Sequence, residues 1–405
     1  MKQRYYSLDV FRGATVAFMI LVNNPGSWTH LYSPLRHAEW HGLTPTDLVF
    51  PFFLFAVGNA MAFTMPRLRE GGDASFWAKV IRRTALIFLI GLFLNWFPFF
   101  QWQNDELVFR SWTWTTPDGE VRGIRILGVL QRIALAYFFA SVIVYYLKQR
   151  GSIWAGAFLL ILYWVLCIAG NPADPYSLEG WFGNDVDRAV LGEPHMYHGE
   201  GVPFEPEGLA STLTSIVQVI VGYLVGDYLR RRGSVASPLQ SNGAGTHPVY
   251  QTIAILFIAA TALMFGGYFW GLDFPINKKI WTSSYVLLTS GLAIATLCTL
   301  IYFIEVKNKR GAWSRFFDVF GKNALFIYAM SGIIPKLLFI IRIPNGTNDE
   351  GKTVYTSPWG WFHENITSHF PGPPQNGSLV FAICNVLLLW LIAVWLDRKK
   401  IYIKV

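Results

Sequence analysis

Between Leu21 and Phe53 the chain reads LVNNPGSWTHLYSPLRHAEWHGLTPTDLVFPFF and gathers Asn23, Asn24, His30, His37, His41 and Asp47. Imidazole titrates closest to neutrality, so a histidine can take or return a proton at physiological pH. An asparagine amide can donate to a developing oxyanion. These residue types suit proton transfer coupled to stabilisation of a negative oxygen, yet nothing in the spacing ranks the three histidines. His37 and His41 stand four apart, which on a helix would suit a metal. The segment HAEWHG lacks the HExxH order, however, and Pro34 and Gly42 bracket it closely, so no metal is expected there. Asp47 has two readings: an acid in the first turn of a helix that Thr44 or Thr46 caps, or a partner that orients a histidine.

The elements that must position these residues are written in the composition. The chain is 53% hydrophobic and 14% charged, where an ordinary soluble domain carries about a quarter charged residues. Apolar runs long enough to cross a hydrocarbon core of roughly 30 Å recur from end to end. We read ten, over about 8–24, 45–65, 77–98, 125–147, 152–170, 210–229, 249–269, 280–304, 317–342 and 377–397. The expected fold is an all-α integral membrane protein, a single bundle of about ten transmembrane helices in one domain, 1–405. The first run contains Asp9 and Arg12 and is followed by no small-residue cleavage site, so no cleavable signal peptide is expected. Cys167, Cys298 and Cys384 fall in apolar runs without paired spacing and are assigned to packing.

The net charge of +8 is spread over short clusters between the runs rather than on one face, which argues against nucleic acid. Those clusters alternate. Lys2 and Arg4, Arg67 to Arg83, Lys148 and Arg150, Arg230 to Arg232, Lys307 to Arg310 and Arg398 to Lys400 fall on one side, which the positive-inside rule makes cytoplasmic. Both termini are then cytoplasmic. The long connections 25–44, 99–124, 171–209 and 343–376 lie outside, with every histidine except His247. Lys278 and Lys279 alone run against the sign pattern.

Some polar groups sit where lipid should exclude them. Asp9 and Arg12 share a helix face, as an interfacial ion pair or as an anion site. Gln131 and Arg132 lie inside the fourth run, where a charge is costly and marks either function or pairing with a neighbouring helix.

The motifs SLDVFRG, LVNN, HAEWHGLTPTDLVFPFFLFAVG, RILGVLQRIALAYF, PEGLASTLTSIVQVIVG and NKKIWTSSYVLLTSG occur in order from about residue 5 to residue 335. Together they resemble the heparan-α-glucosaminide N-acetyltransferase family and its bacterial relatives. The resemblance implies a multi-pass inner-membrane acyltransferase taking acetyl-CoA from the cytoplasmic side and passing acetyl to the amine of a glucosamine-type sugar on the outer, periplasmic side. It places the family's catalytic histidine on His37 and its catalytic asparagine on Asn23. It also implies a homodimer. Against that family's lysosomal enzyme, no lumenal domain or extra leading helix is expected here, which would fit ten spans rather than eleven and make heparan sulfate an unexpected acceptor.

Under that reading His37 acts as general base or acetyl carrier, Asn23 holds the oxyanion, and Asp47 either orients His37 or remains a cap. Glu207 would hold an amino-sugar cation and Trp40 would stack on the ring. Arg12, Arg82, Arg83, Arg132 and Lys322 are the cations expected for the donor. Two other readings remain. A transporter or flippase would use buried Arg, Asn and Gln to line a path, and a scaffold would give the polar cluster no reason to gather.

Overall fold

The computed structural model describes residues 5–103, 105–116, 119–232, 248–347 and 351–403; Lys2, Arg4 and His247 lie outside them. Apolar chain in lipid must satisfy its backbone internally, and helices do so. Among the described residues the helices are α1 (Tyr6–Asn23), α2 (Val49–Glu70), α3 (Gly72–Trp96), α4 (Val129–Gly170), the short α5 (Gly183–Leu191), α6 (Leu209–Arg232), α7 (Pro248–Trp270), α8 (Ser283–Ile301), α9 (Ala312–Lys322), α10 (Ala324–Ile340), the short α11 (Pro358–Asn365) and α12 (Pro374–Arg398). Three antiparallel hairpins decorate one end: β1 (Phe100–Gln103) with β2 (Glu106–Phe109), β3 (Thr113–Thr115) with β4 (Val121–Gly123), and β5 (Ile343–Thr347) with β6 (Thr353–Thr356).

Six described helices are long and apolar enough to cross a membrane, or seven if the bent pair α9–α10 counts as one span. The chain is a multi-pass membrane protein. Two expected runs merge in α4, which is broken at Lys148, where φ is +56°. The run expected over 317–342 is not continuous, because α9 and α10 meet at 82°. Asn323 makes the corner: it leaves helical geometry, its amide donates to Ile401 O at 3.0 Å, and its Oδ1 accepts from Ile403 N at 2.8 Å. Tethering to the C-terminal segment takes the place of continued helix.

The centre of the bundle is α2 against α6, flanked by α4, α1 and α8. Gly58 and Gly222 let the two backbones touch: a Cβ on Gly58 would fall 2.0 Å from Val219 O, and one on Gly222 would fall 2.1 Å from Phe55 O. Small residues permit such approach where lipid supplies no hydrophobic drive between helices. By contrast α4 and α7 expose Trp154, Phe158, Ile258 and Phe265 outward, as lipid-facing helices do.

Two cavities mark the ends of this core. One gathers the chain just before α2, α4, α6 and α8. The other gathers the start of α1 with the ends of α2 and α6.

Candidate active site

The first cavity has a volume of about 230 Å³ and is lined by His37, Trp40, Asp47, Arg125, Glu207, Lys278 and Lys279 among others. Its histidine is held from the start of α2. Thr44 opens a turn of 3-10 helix over Pro45–Leu48, and Asp47 closes the capping box. Asp47 Oδ2 accepts from Thr44 N at 3.0 Å, Thr44 Oγ1 at 2.9 Å and Ala38 N at 3.1 Å, while Oδ1 lies 2.7 Å from His37 Nδ1. The carboxylate is almost wholly buried and the imidazole 40% exposed. With Nδ1–H donated to Asp47, Nε2 is left as the nitrogen with a lone pair, the tautomer a general base requires.

Of the other two histidines, His30 contacts Ser27 and Thr29 at the surface. His41 faces Asn277 at 3.4 Å and lines a neighbouring shallow pocket with Glu39, Trp40, Tyr176 and Glu200. Burial lowers its pKa.

Lys278 and Lys279 are delivered by a tight loop. Asn277 N donates to Thr282 Oγ1 at 3.0 Å, Asn277 Oδ1 accepts from Ile280 N at 3.0 Å, and Thr282 N donates to Asn277 O at 3.1 Å. These bonds hold Trp281 at φ +52°, a region bulky side chains rarely adopt. Lys278 Nζ stands 3.0 Å from His37 Nδ1, 3.4 Å from His37 Nε2 and 3.5 Å from Asp47 Oδ1. Lys279 Nζ pairs with Glu200 at 2.6 Å and lies 5.7 Å over the Trp40 ring. The two lysines that broke the charge pattern are thus neutralised by carboxylates at this end. Their anomalous sign was the signal in the sequence.

The opposite wall is a buried ion cluster that the sequence reading touched only at Glu207 and Arg132. Arg125 Nε donates to Glu205 at 2.9 Å, and its Nη2 bonds both Glu205 and Glu207. Burial would raise the Glu207 carboxyl, but Arg125, then Arg132 and Lys278, hold it below its ordinary value. Glu205, fully buried, is pushed up by burial despite Arg125. Asp187, on α5, accepts from Leu209 N at 2.9 Å at the start of α6, and burial pushes its pKa up to about 7. Arg132 is wholly buried, donating to Gly208 O at 3.1 Å and to Ser211, with its guanidinium 5.0 Å from the Trp281 ring.

Asn23 ends α1 and is exposed, outside the residues lining this cavity. Trp40 lines it, but its Nε1 is tied to Tyr176 O at 2.7 Å and its edge meets Phe204.

The second cavity, about 530 Å³, is lined by Arg12, Arg67 and Arg230, by Asp9, Asn59 and Thr64, and by largely apolar neighbours. Arg12 also bonds Asp9 at 2.8 Å and Gly321 O at 2.7 Å. The other expected donor cations are elsewhere. Arg82 is exposed, Arg83 sits over the Tyr137 ring at 4.7 Å, Lys322 is paired with Asp318 and Asp397, and Arg132 belongs to the His37 end. Arg67 and Arg230, which the sequence reading did not single out, line the cavity instead.

Residues 4–183 match the family model described as heparan-alpha-glucosaminide N-acetyltransferase, catalytic. The chain is 26% identical over 454 residues to human heparan-alpha-glucosaminide N-acetyltransferase, covering 99% of this chain and 60% of that protein. To the mouse protein of the same name it is 26% identical over 375 residues, covering 80% of this chain and 53% of that one. The chain therefore spans little more than half the length of these relatives. The match contains Asn23, His37, Asp47 and Arg125, while Glu207 and Lys278 lie beyond it. With the His37–Asp47 pair inside the matched region and similarity to the human protein running along nearly all of this chain, the chain is similar to the heparan-alpha-glucosaminide N-acetyltransferases.

Proposed function

We propose that the protein is a membrane N-acetyltransferase that carries acetyl from acetyl-CoA to the amine of a glucosamine-type sugar. The observation that carries this reading is the His37–Asp47 pair opening into a cavity walled by Glu207 and Glu200. An amine attacks a thioester only when unprotonated. His37 Nε2 takes its proton, and Asp47 keeps Nδ1–H facing away so that Nε2 remains the base. An amino sugar's ammonium would share Glu207 with Arg125 and Glu200 with Lys279, and Trp40 presents an aromatic ring beside them.

The donor's phosphates are assigned to the second cavity, whose wall carries Arg12, Arg67 and Arg230, the first and last also paired with Asp9 and Asp227. Val49, just after Asp47, and Thr64 are 15 residues apart along α2, about 22 Å at 1.5 Å per residue, so the donor must lie along the bundle with its thioester at the far end. The finer topology, ten crossings of an inner membrane with both termini cytoplasmic, rests on the run count and charge alternation of the sequence; cavities at opposite ends of the bundle fit its sidedness, with the arginine cavity inside and His37 outside.

The test is purified protein in detergent with acetyl-CoA and glucosamine, following free CoA and N-acetylglucosamine together. Wild-type turnover that falls by about 10² or more in His37→Ala supports general-base chemistry. Unchanged turnover in that variant removes the mechanism. Sugar uptake into vesicles with no acetylated product would favour transport.

A further inference from the structure

Acyl transfer needs more than a base. When the amine attacks, the carbonyl oxygen takes the electron pair of the former C=O bond, and that charge must be met by a donor already in place. The resemblance assigns this work to Asn23, but Asn23 is exposed at the end of α1 and does not line the His37 cavity. Lys278 does line it, with Nζ 3.4 Å from the nitrogen that would take the proton. Its side chain is 22% exposed, enough to reach a substrate and too little to be swamped by water. The 277–282 bonds fix the backbone that carries it.

We infer that the Lys278 ammonium, rather than the Asn23 amide, holds the thioester oxygen as it becomes an oxyanion; this rests on the acetyl-transfer reading above. The amine nitrogen forms a bond to the acyl carbon while His37 Nε2 takes the amine proton. The carbonyl oxygen becomes negative within reach of Lys278 Nζ. Collapse restores C=O and breaks C–S, and the departing thiolate takes the proton from the His37 imidazolium. Lys278 stays protonated throughout, so atoms and charge balance without another reactant. An ammonium suits this position because Asp47 and Glu207 supply compensating charge when no substrate is bound, while Lys279, already paired with Glu200, adds a second cation nearby.

Burial lowers the Lys278 pKa from its ordinary value, against Asp47 and Glu207, which raise it. Activity should therefore fall on an alkaline limb below the usual lysine range. The charged and titratable groups facing Lys278 are Asp47, His37, Glu207 and Lys279, with Arg125, Tyr197 and Glu200 across the same cavity.

The experiment compares wild type, K278M, K278R, N23A and H37A in the CoA-release assay, with thermal unfolding recorded for each. The expected result is a fall in kcat of roughly 10² or more in K278M with the KM for either substrate little changed, the scale of losing one oxyanion donor. K278R should stand at least about tenfold above K278M and lose the alkaline limb, because its charge persists at all accessible pH. K278M within about threefold of wild type, or N23A carrying the whole kcat loss, overturns the assignment. If K278M does not fold, K278R decides: an alkaline limb identical to that of wild type overturns it too. A wild-type protein inactive with every amino sugar tried overturns the acetyl-transfer reading itself, whereas an active wild type with an active K278M sinks only the role of Lys278.

Discussion

Asp47 divides its two oxygens between two tasks, with Oδ1 2.7 Å from His37 Nδ1 and Oδ2 accepting from Thr44 and Ala38 at the start of α2. Orientation of the imidazole and closure of the helix turn are therefore separable by mutation. Asp47→Asn offers the ring an amide that can force Nδ1 to accept and put the proton on Nε2. We expect kcat to fall by about 10² to 10⁴. Thr44→Ala removes the hydroxyl that donates to Asp47 Oδ2 and Arg36 O but leaves the Oδ1–His37 contact, and should cost about 1 kcal/mol of stability with a much smaller loss of rate. Thermal unfolding and CoA release on the same samples check both; equal rate losses would deny the division.

Arg125 is the cation on which both Glu205 and Glu207 rest. Arg125→Met leaves the buried Glu205 without its cation, and breaking a buried pair in this way typically costs about 3–5 kcal/mol. We expect a large drop in melting temperature in detergent and partial recovery in the double variant Arg125→Met, Glu205→Gln. No recovery would mean that the two side chains are not energetically coupled.

Asp187 is held near 7, so the folded protein prefers it protonated. A carboxyl whose folded pKa is raised contributes its stability in full below the unfolded pKa, near 4, and loses it as pH climbs toward 7. Melting temperature should therefore decline between about pH 4 and pH 7 in part through this residue. In Asp187→Asn that part of the slope should flatten; an unchanged slope would assign the decline to other groups.

Arg67 lines the arginine cavity at the end of α2. Arg67→Ala should raise the KM for acetyl-CoA by about tenfold, or roughly 1.4 kcal/mol, with kcat little affected. A short acetyl thioester lacking phosphates should show no such change. Equal effects on the two donors would move the phosphate site elsewhere.

The two ends of the bundle should be accessible from opposite sides of the membrane. Glu39 and Lys399 are both exposed, while Cys167 and Cys298 are buried and Cys384 is half-buried. In a Cys384→Ala background, an impermeant maleimide added to intact spheroplasts should label a cysteine at position 39 and spare one at 399. Labelling of 399 alone would invert the topology.

Much of this protein is legible in one dimension. Apolar run length and the alternation of Arg and Lys clusters dictate a multi-pass helical chain, because lipid admits backbone only when its hydrogen bonds close internally. The resemblance carried by HAEWHG is what puts His37 forward among the three histidines of that stretch. The corner at Asn323 was not legible, since it depends on contacts with residues 401 and 403, some 80 positions away. Nor was the pairing of Arg125 with Glu205 and Glu207, which lie on separate connections. Lys278 and Lys279 stood out only as charges against the expected sign alternation; the fold alone set them beside His37 and Glu200. Sequence determined which residue types are available and in which medium the chain must fold. Tertiary structure decided which of them share a cavity, because an ion pair in a membrane protein forms between whichever helix ends are brought together, and that is a property of packing rather than of order along the chain.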